Sequence, residues 1–213
     1  LSFVGIASRF KALIQCENVL YLCDTNRLCR ELFYQQALVR FGSFDSIKFE
    51  IPLRIKELAL IGFDMEECAW EEDDGPKDEL AQRVEELLMD RRDMLQEYFN
   101  ITLNANGELE TLPSIVQSYL PLLSHLPLFI VRMATEVNYE DEKECFESIC
   151  KELGDYYARL SLISPDSDFK FLTETIIYPE IRKNLQPPTK FLTDETFLKL
   201  TSLQELYKVF ERC

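Results

Sequence analysis

The fold class is decided by residues 10–41, which read FKALIQCENVLYLCDTNRLCRELFYQQALVRF. Two β-forming segments, residues 10–15 and 19–22, are separated by a short polar turn and predict a pair of adjacent strands. Asp24 then predicts the N-cap of a helix over residues 25–41, because its carboxylate can accept hydrogen bonds from backbone N–H groups of the first helical turn. Strands followed by a long helix indicate an α+β domain.

Further strands and helices are predicted on both sides of this stretch. In chain order they are a strand over 3–6, a strand over 47–51, a helix opened by Pro52 and ended by Gly62, a long helix from Pro76 to Phe99, a hairpin over 101–112, a strand or short buried helix over 128–131, and helices over 139–160, 169–185 and 203–208. Capping-box patterns, at Asn138 with Asp141 and at Ser202 with Glu205, mark the starts of two of these helices.

The composition is that of a folded protein that carries a strong negative charge. The chain has 213 residues, of which 46% are hydrophobic and 29% charged, and its formal net charge is −15. This charge repels phosphate backbones and makes autonomous nucleic-acid binding a poor hypothesis. No apolar run reaches the ~18 residues of a membrane span. Because the chain begins at Leu1 rather than at an initiator Met, and no signal-peptide pattern follows, we expect a fragment of a longer protein.

An acidic segment, Met65–Asp74, predicts a boundary between two lobes. It holds six carboxylates around Cys68 and Trp70. The simplest interpretation is a solvated loop whose acids lie at the N-terminus of the next helix, where the helix dipole favours negative charge. A metal site formed by Glu71 to Asp74 is the alternative interpretation.

Residues for catalysis are scarce. The seven cysteines lack Cys-x-x-Cys spacing and predict reduced thiols, with six of them acting as small buried hydrophobes. A catalytic triad would have to use His125, the one histidine, which lies in an apolar segment beside Pro127 where a structural role is expected. A single histidine also cannot supply the ligand set that is typical of a metal nuclease. The glycines are isolated and form no phosphate-binding loop. We therefore predict that this chain is not itself an enzyme.

Several segments of the sequence carry a family resemblance in the same order along the chain. They are FVG at 3–5, ELFYQ at 31–35, EDDGPK at 72–77, ATEVN at 134–138, DEKECFES at 141–148 and LYKVFERC at 206–213. Together they resemble the C-terminal domain of the eukaryotic MutL homologue one family, the shared subunit of the mismatch-repair MutL heterodimers. The loop over residues 162–168 departs from the family, where a longer, variable insertion is expected.

The resemblance implies a two-lobed domain. Residues 1–70 with 139–213 would form a dimerisation lobe and residues 71–138 an external lobe, while the N-terminal ATPase domain of the family lies outside this chain. The implied partner is a second MutL homologue that carries the metal-dependent endonuclease, whose Asp-Gln-His-Ala signature has no counterpart here. The implied setting is the nucleus, in mismatch repair and meiosis, with MutS-type complexes and DNA reached only through the full assembly and no membrane.

The resemblance also assigns roles to individual residues. The pairing surface is expected to include Gln15, Ile47, Leu206, Tyr207 and Phe210. Permanent interfaces bury apolar and aromatic anchors rather than charges. Ordinary core packing is the alternative role for these positions, above all for Ile47.

Two further residues are expected to act on partners. Glu142 corresponds to an acid that faces the Lys or Arg of basic, aromatic-ended motifs in repair exonuclease-type proteins; alternatively, it only favours its helix N-terminus. Cys213 would reach the partner's endonuclease site and share a zinc ion there, although the chain needs no cofactor of its own. A thiol packed at the interface is the alternative.

Two other functions stay open at the level of the sequence. The chain could be a stand-alone acidic metal-dependent hydrolase, which would bind a divalent metal stoichiometrically. It could also be an acidic protein–protein adaptor unrelated to repair, which would not co-purify with a MutL-type partner.

Overall fold

The computed structural model describes residues 1–210. It is 54% helix and 20% strand, and the strands form two sheets. The α+β prediction is therefore confirmed. Two compact units divide the described chain: unit 1 holds residues 1–33 and the described residues from Tyr157 onward, and unit 2 holds residues 34–156. Both boundaries between these units fall within helices.

Strands and helices are interspersed along the chain. The strands are β1 (Ser2–Ile6), β2 (Lys11–Cys16), β3 (Val19–Asp24), β4 (Asp45–Arg54), β5 (Thr102–Leu103), β6 (Glu108–Ser114) and β7 (Phe197–Ser202). The α-helices are α1 (Thr25–Val39), α2 (Ile55–Phe63), α3 (Lys77–Asp90), α4 (Arg92–Phe99), α5 (Leu126–Thr135), α6 (Glu142–Tyr157), α7 (Asp166–Leu172), α8 (Tyr178–Asn184) and α9 (Leu203–Phe210).

Unit 1 contains an antiparallel sheet in the order β1-β2-β3-β7. The predicted strand pair is confirmed, with Ala12 opposite Cys23. Ala12, Ile14 and Cys23 are fully buried on one face of this sheet, and they belong to the core of unit 1. Asp24 caps α1 as predicted, because its Oδ1 accepts a hydrogen bond from the Arg27 N–H at 3.1 Å.

Helices supply the rest of the core of unit 1. Leu28 and Leu32 of α1 are fully buried. The aromatic rings of Phe3 and Tyr178 are in contact, with their centroids 4.4 Å apart. The predicted helix over 169–185 is helical from Asp166 to Asn184, with a wider π-helical turn at 173–177 that joins α7 to α8.

Unit 2 contains a second antiparallel sheet in the order β4-β6-β5. The prediction that Pro52 opens a helix is wrong, because Pro52 lies within β4 and α2 begins at Ile55. The pairing register of β4 with β6 shifts between Lys48 and Leu53. Proline has no backbone N–H that could donate to a neighbouring strand. Because the pairing of β4 with β6 is irregular around Pro52, the missing N–H removes no hydrogen bond between the two strands.

Close packing of α2 on α5 shapes the helical layer of unit 2. A Cβ atom on Gly62 would lie 2.6 Å from the Pro127 carbonyl oxygen, so the backbones approach at a distance that only glycine allows. The ambiguous segment 128–131 is helical and fully buried within α5. The predicted long helix from Pro76 to Phe99 is interrupted at Arg91, between α3 and α4.

The cysteines described by the structure are free thiols. Cys23, Cys29, Cys145 and Cys150 are buried, as predicted. The prediction is wrong for Cys16, which is exposed at the end of β2, and for Cys68, which is only half-buried. No helix within residues 1–210 combines the length and the apolar character needed to cross a membrane.

Candidate interaction sites

One face of the unit 1 sheet carries apolar side chains that are only partly covered by the described residues. Leu13 of β2 lies opposite Leu22 of β3, which lies opposite Leu198 of β7, so the three form a row across the sheet. Gln15 and Leu20 lie opposite each other in the adjacent row. We call these five residues the open sheet face.

The exposure of the open sheet face differs from that of the opposite face. Leu13, Leu20 and Leu22 are half-buried and Leu198 is 46% exposed, whereas Ala12 and Ile14 on the other face are buried. Alternation along β2 thus produces one core face and one aliphatic face that still contacts solvent.

Gln15 is the polar group of this face, and its side chain is exposed. Its Nε2 donates a hydrogen bond to the Glu17 carbonyl at 2.9 Å, which ties the amide to the β2–β3 turn. This places the predicted interface residue Gln15 at the edge of an aliphatic patch that sequence reasoning had not identified. The missing signal was β7, whose pairing with β3 adds Leu198 to the patch.

Helix α9 follows β7 directly and carries Tyr207, whose side chain is 66% exposed. The predicted capping box is confirmed: the Ser202 N–H donates to Glu205 Oε2 at 2.7 Å, and the Glu205 N–H donates to Ser202 Oγ at 3.3 Å. The backbones of Leu206 and Phe210 belong to α9, but their side chains lie outside the description. Cys213 lies outside the described residues.

The predicted pairing residues do not all belong to one unit. Gln15 and Tyr207 lie in unit 1, whereas Ile47 lies in β4 of unit 2, half-buried and opposite Leu112.

Glu142 is the first residue of α6 and is exposed. The helix begins three residues later than predicted, because Asp141 is the residue whose Oδ1 accepts the Glu144 N–H, at 2.9 Å. The preceding turn is held by Tyr139, whose hydroxyl donates to the Met133 carbonyl at 2.8 Å and whose ring lies 5.7 Å from the Arg91 guanidinium carbon. Burial raises the pKa of Tyr139 above its usual range, so the hydroxyl keeps its proton, and can donate this hydrogen bond, into alkaline solution.

The acidic segment before α3 uses its carboxylates for local structure. The Glu71 N–H donates to Asp74 Oδ2 at 2.9 Å, and the Glu71 side chain accepts in return from the backbone of Asp74. Within residues 1–210 we find no group of three or more His, Cys, Asp and Glu side chains that could hold a metal ion.

His125 lies beside a hydroxyl and near a carboxylate. Its Nδ1 lies 3.1 Å from the hydroxyl of the adjacent Ser124, and its Nε2 lies 3.9 Å from Glu67 Oε1, which is beyond hydrogen-bond distance.

Sequence reasoning missed a cavity of about 470 Å³ within unit 2. Its walls come from the segment 63–74, from α3 and from α5, and include Trp70, Leu80, Val84 and Val131. The one available signal was a tryptophan within an otherwise acidic segment.

The fold is an α+β domain of the MutL C-terminal type. All 213 residues match the family model described as the C-terminus of the DNA mismatch repair protein Mlh1, and the chain belongs to this family. The resemblance seen in the sequence is thereby confirmed.

Curated relatives agree over nearly the whole chain. The DNA mismatch repair protein Mlh1 of Dictyostelium discoideum is 37% identical over 237 residues, which cover 99% of this chain and 27% of that protein. The putative MutL protein homolog 1 of Schizosaccharomyces pombe is 32% identical, with 99% of this chain and 31% of that protein covered. The DNA mismatch repair protein MLH1 of Saccharomyces cerevisiae is 31% identical, with 100% and 30% covered. The chain thus spans less than a third of the length of these relatives.

Proposed function

We propose that this chain is the C-terminal part of a MutL-type subunit of DNA mismatch repair and that it pairs there with a second MutL homologue. Family membership and the names of the relatives support the role in repair. The observation that carries the pairing is the open sheet face, where aliphatic side chains from three strands lie side by side and stay accessible.

Pairing through the open sheet face has a direct physical reason. Each Å² of apolar surface removed from water contributes roughly 25 cal/mol, and stable interfaces remove on the order of 1,600 Å² in total. Leu198 and its cross-strand neighbours would form the apolar core of such an interface. Gln15 at the edge would supply the hydrogen bonds of a polar rim.

In this proposal the chain is a non-catalytic subunit of a nuclear complex with a role in meiosis. The partner supplies the endonuclease, and Cys213 adds a thiolate ligand to its zinc. Leu206, Tyr207, Phe210 and Ile47 add to the pairing surface, and Glu142 recruits exonuclease-type proteins with basic, aromatic-ended motifs. MutS-type complexes and DNA are reached through the full assembly.

The proposal is tested by placing a charge on the open sheet face. We expect Leu198→Glu to weaken pairing with a co-expressed MutL homologue at least ~100-fold, because a carboxylate would be buried without a partner. Phe171→Glu is the matched control, since Phe171 is also an exposed apolar residue of unit 1 but lies on α7, at 63% exposure. Pairing is measured by size-exclusion chromatography and isothermal titration calorimetry. Unchanged pairing in a folded Leu198→Glu variant would exclude this face.

A further inference from the structure

The strand β7 lies at one edge of the unit 1 sheet. Among the described residues it pairs with a single neighbour, β3, and the register of this pairing shifts between Leu20 and Tyr21. Its Leu198 belongs to the open sheet face and is 46% exposed. Because an edge strand forms ladder hydrogen bonds on one side only, contacts outside the ladder contribute to holding β7 in place.

A short turn formed by residues 194–196, the β7 turn, leads into the strand. Asp194 closes this turn, because its Oδ1 accepts hydrogen bonds from the Thr196 N–H at 3.0 Å and from the Thr196 hydroxyl at 2.6 Å. The hydrogen bonds from Thr196 and the charge of Arg27 lower the pKa of Asp194, so this carboxylate is ionised at neutral pH. The Thr196 carbonyl accepts the Asp24 N–H at 3.0 Å, which attaches the turn to the end of β3.

The middle residue of the β7 turn has a strained backbone. Glu195 adopts a φ of +62°, in the left-handed region, and its side chain is exposed. A residue with a Cβ atom adopts this conformation at a cost in free energy, because the Cβ atom comes too close to a backbone carbonyl. Such a conformation persists where the surrounding contacts impose it. The β7 turn therefore depends on the contacts made by the residues on either side of Glu195.

Arg27 of α1 makes such contacts through one guanidinium nitrogen. Its Nη1 donates a hydrogen bond to the Asp194 carbonyl at 2.7 Å, and it lies 3.4 Å from the Thr196 hydroxyl and 3.5 Å from Asp194 Oδ2. The backbone of Arg27 is fixed in turn, since its N–H donates to the N-cap residue Asp24. This nitrogen therefore bridges the two residues that flank Glu195 and joins them to the first turn of α1.

We infer that Arg27 is a positioning residue for pairing: it holds the β7 turn in its strained conformation, and the turn holds Leu198 in place on the open sheet face. The inference rests on the proposed function and deepens it. Arg27 itself lies on α1 and is not one of the five residues of the open sheet face. The contact joins residues 167 positions apart, so local sequence patterns do not reveal it.

The positioning role is tested first on the unpaired chain by amide hydrogen exchange. In Arg27→Ala we expect the backbone N–H groups of β7 to exchange at least ~10-fold faster, while those of β2 exchange as in the parent. The melting temperature should stay near that of the parent, since the Arg27 side chain is 51% exposed. Parent-like exchange in β7, or equally faster exchange in β2, would overturn the inference.

Two further variants separate the contact of Arg27 from a general change of charge. Arg27→Lys keeps a positively charged donor beside Asp194, and its β7 should exchange more slowly than that of Arg27→Ala. Arg182→Ala is the matched control, because it removes an exposed arginine of unit 1 that lies on α8, and its β7 should exchange like the parent. Equally fast β7 exchange in Arg182→Ala would assign the effect to net charge and overturn the inference.

A glycine at position 195 provides a rescue. Glu195→Gly removes the strain, because glycine adopts a positive φ without a Cβ clash. In the double variant Arg27→Ala/Glu195→Gly, the protection of the β7 amides should therefore return at least in part. A double variant whose β7 exchanges as fast as that of Arg27→Ala would show that Arg27 does not act through the strained turn.

Pairing with a co-expressed MutL homologue is measured on the same variants. Arg27→Ala should weaken pairing at least ~10-fold, and the double variant should recover part of this loss. Weaker pairing with parent-like β7 exchange would assign Arg27 to direct contact with the partner and overturn the positioning role.

Leu198→Glu distinguishes a failure of this inference from a failure of the proposed function. If Leu198→Glu pairs like the parent, the proposed function fails, whatever Arg27 does to β7. If Leu198→Glu loses pairing while Arg27→Ala shows fast β7 exchange and pairs like the parent, the positioning role alone is contradicted.

Discussion

Arg132 and Glu152 form a bidentate salt bridge inside unit 2. The Nε atom of Arg132 donates to Oε2 of Glu152 at 2.6 Å, and Nη2 donates to Oε1 at 2.8 Å. The Glu152 side chain is 7% exposed and that of Arg132 is 34% exposed. The hydrogen bonds to Glu152 raise the pKa of Arg132, and the guanidinium in turn satisfies a carboxylate that α6 carries into the core.

Replacing this carboxylate should destabilise the chain measurably. We expect Glu152→Gln to lower the free energy of unfolding by about 2 kcal/mol, less than for a fully buried pair because Arg132 keeps contact with water. Lys151→Ala is the control, since the Lys151–Glu147 pair on the same helix is exposed on both sides. Urea denaturation measures both variants. If the two substitutions lower the free energy of unfolding by the same small amount, the Arg132–Glu152 pair stabilises the fold no more than an exposed ion pair does.

Buried thiols should make the chain lose stability in alkaline solution. Burial raises the pKa of Cys150 from 9.0 to about 12. Between these values the unfolded chain has lost the proton of this thiol and the folded chain has kept it, so the free energy of unfolding falls as pH rises. The slope is about 1.4 kcal/mol per pH unit for one such group.

The pH dependence is checked by denaturation at a series of pH values from neutral to alkaline. Cys150→Ala should flatten the decline, because it removes the titrating group while lowering stability at neutral pH through lost packing. Ile149→Val is the control: it removes a buried methyl group and should lower stability equally at each pH. An unchanged slope in Cys150→Ala would assign the decline to other groups.

Local signals predicted much of this fold correctly. Asp24 and the Ser202–Glu205 box act as the caps that their side-chain chemistry indicates, because capping depends on residues a few positions apart. The strand pair around Gln15 follows from short-range alternation in the same way. These features need no information from distant parts of the chain.

The errors lie where distant contacts decide. Pro52 is compatible with a helix start, and only the irregular pairing of β4 with β6 makes it part of a strand. The strand β7 is formed by pairing with β3, which lies far away in sequence, so the open sheet face could not be assembled from local patterns. The cavity beside Trp70 likewise depends on three segments that meet only in the folded unit.

Glu142 is expected to bind partner peptides without supporting the fold. Glu142→Ala should weaken a basic, aromatic-ended peptide at least ~10-fold, because an exposed carboxylate that pairs with a cation at an interface contributes to recognition. Its melting temperature should stay near that of the parent, since Asp141 caps the helix. Glu140→Ala removes a neighbouring exposed acid and serves as the control. Calorimetric titration that gives equal affinities for the two variants and the parent would remove Glu142 from the site.

Tyr207 is expected to anchor pairing from α9. Because its side chain is 66% exposed, Tyr207→Ala removes little packing within the chain, and we expect the monomer to stay folded. Pairing with a MutL homologue should weaken at least ~10-fold, since buried tyrosines are frequent interface anchors. Lys208→Ala, the next exposed residue of the helix, is the control. Circular dichroism and size-exclusion chromatography separate the two effects: loss of pairing only together with unfolding would contradict the assignment.

Cys213 is expected to complete a metal site on the partner. A thiolate binds zinc at about 2.3 Å, and the described residues of this chain offer no competing ligand group. Substituting Cys213→Ser in the heterodimer should therefore lower DNA nicking and the zinc content of the purified complex while pairing stays intact. Cys16→Ser removes a thiol that is exposed at the end of β2, and it should change neither quantity. Nicking assays, zinc analysis by mass spectrometry and chromatography of the complex supply the readouts. Full activity with full zinc occupancy in the Cys213→Ser heterodimer would limit this thiol to packing at the interface.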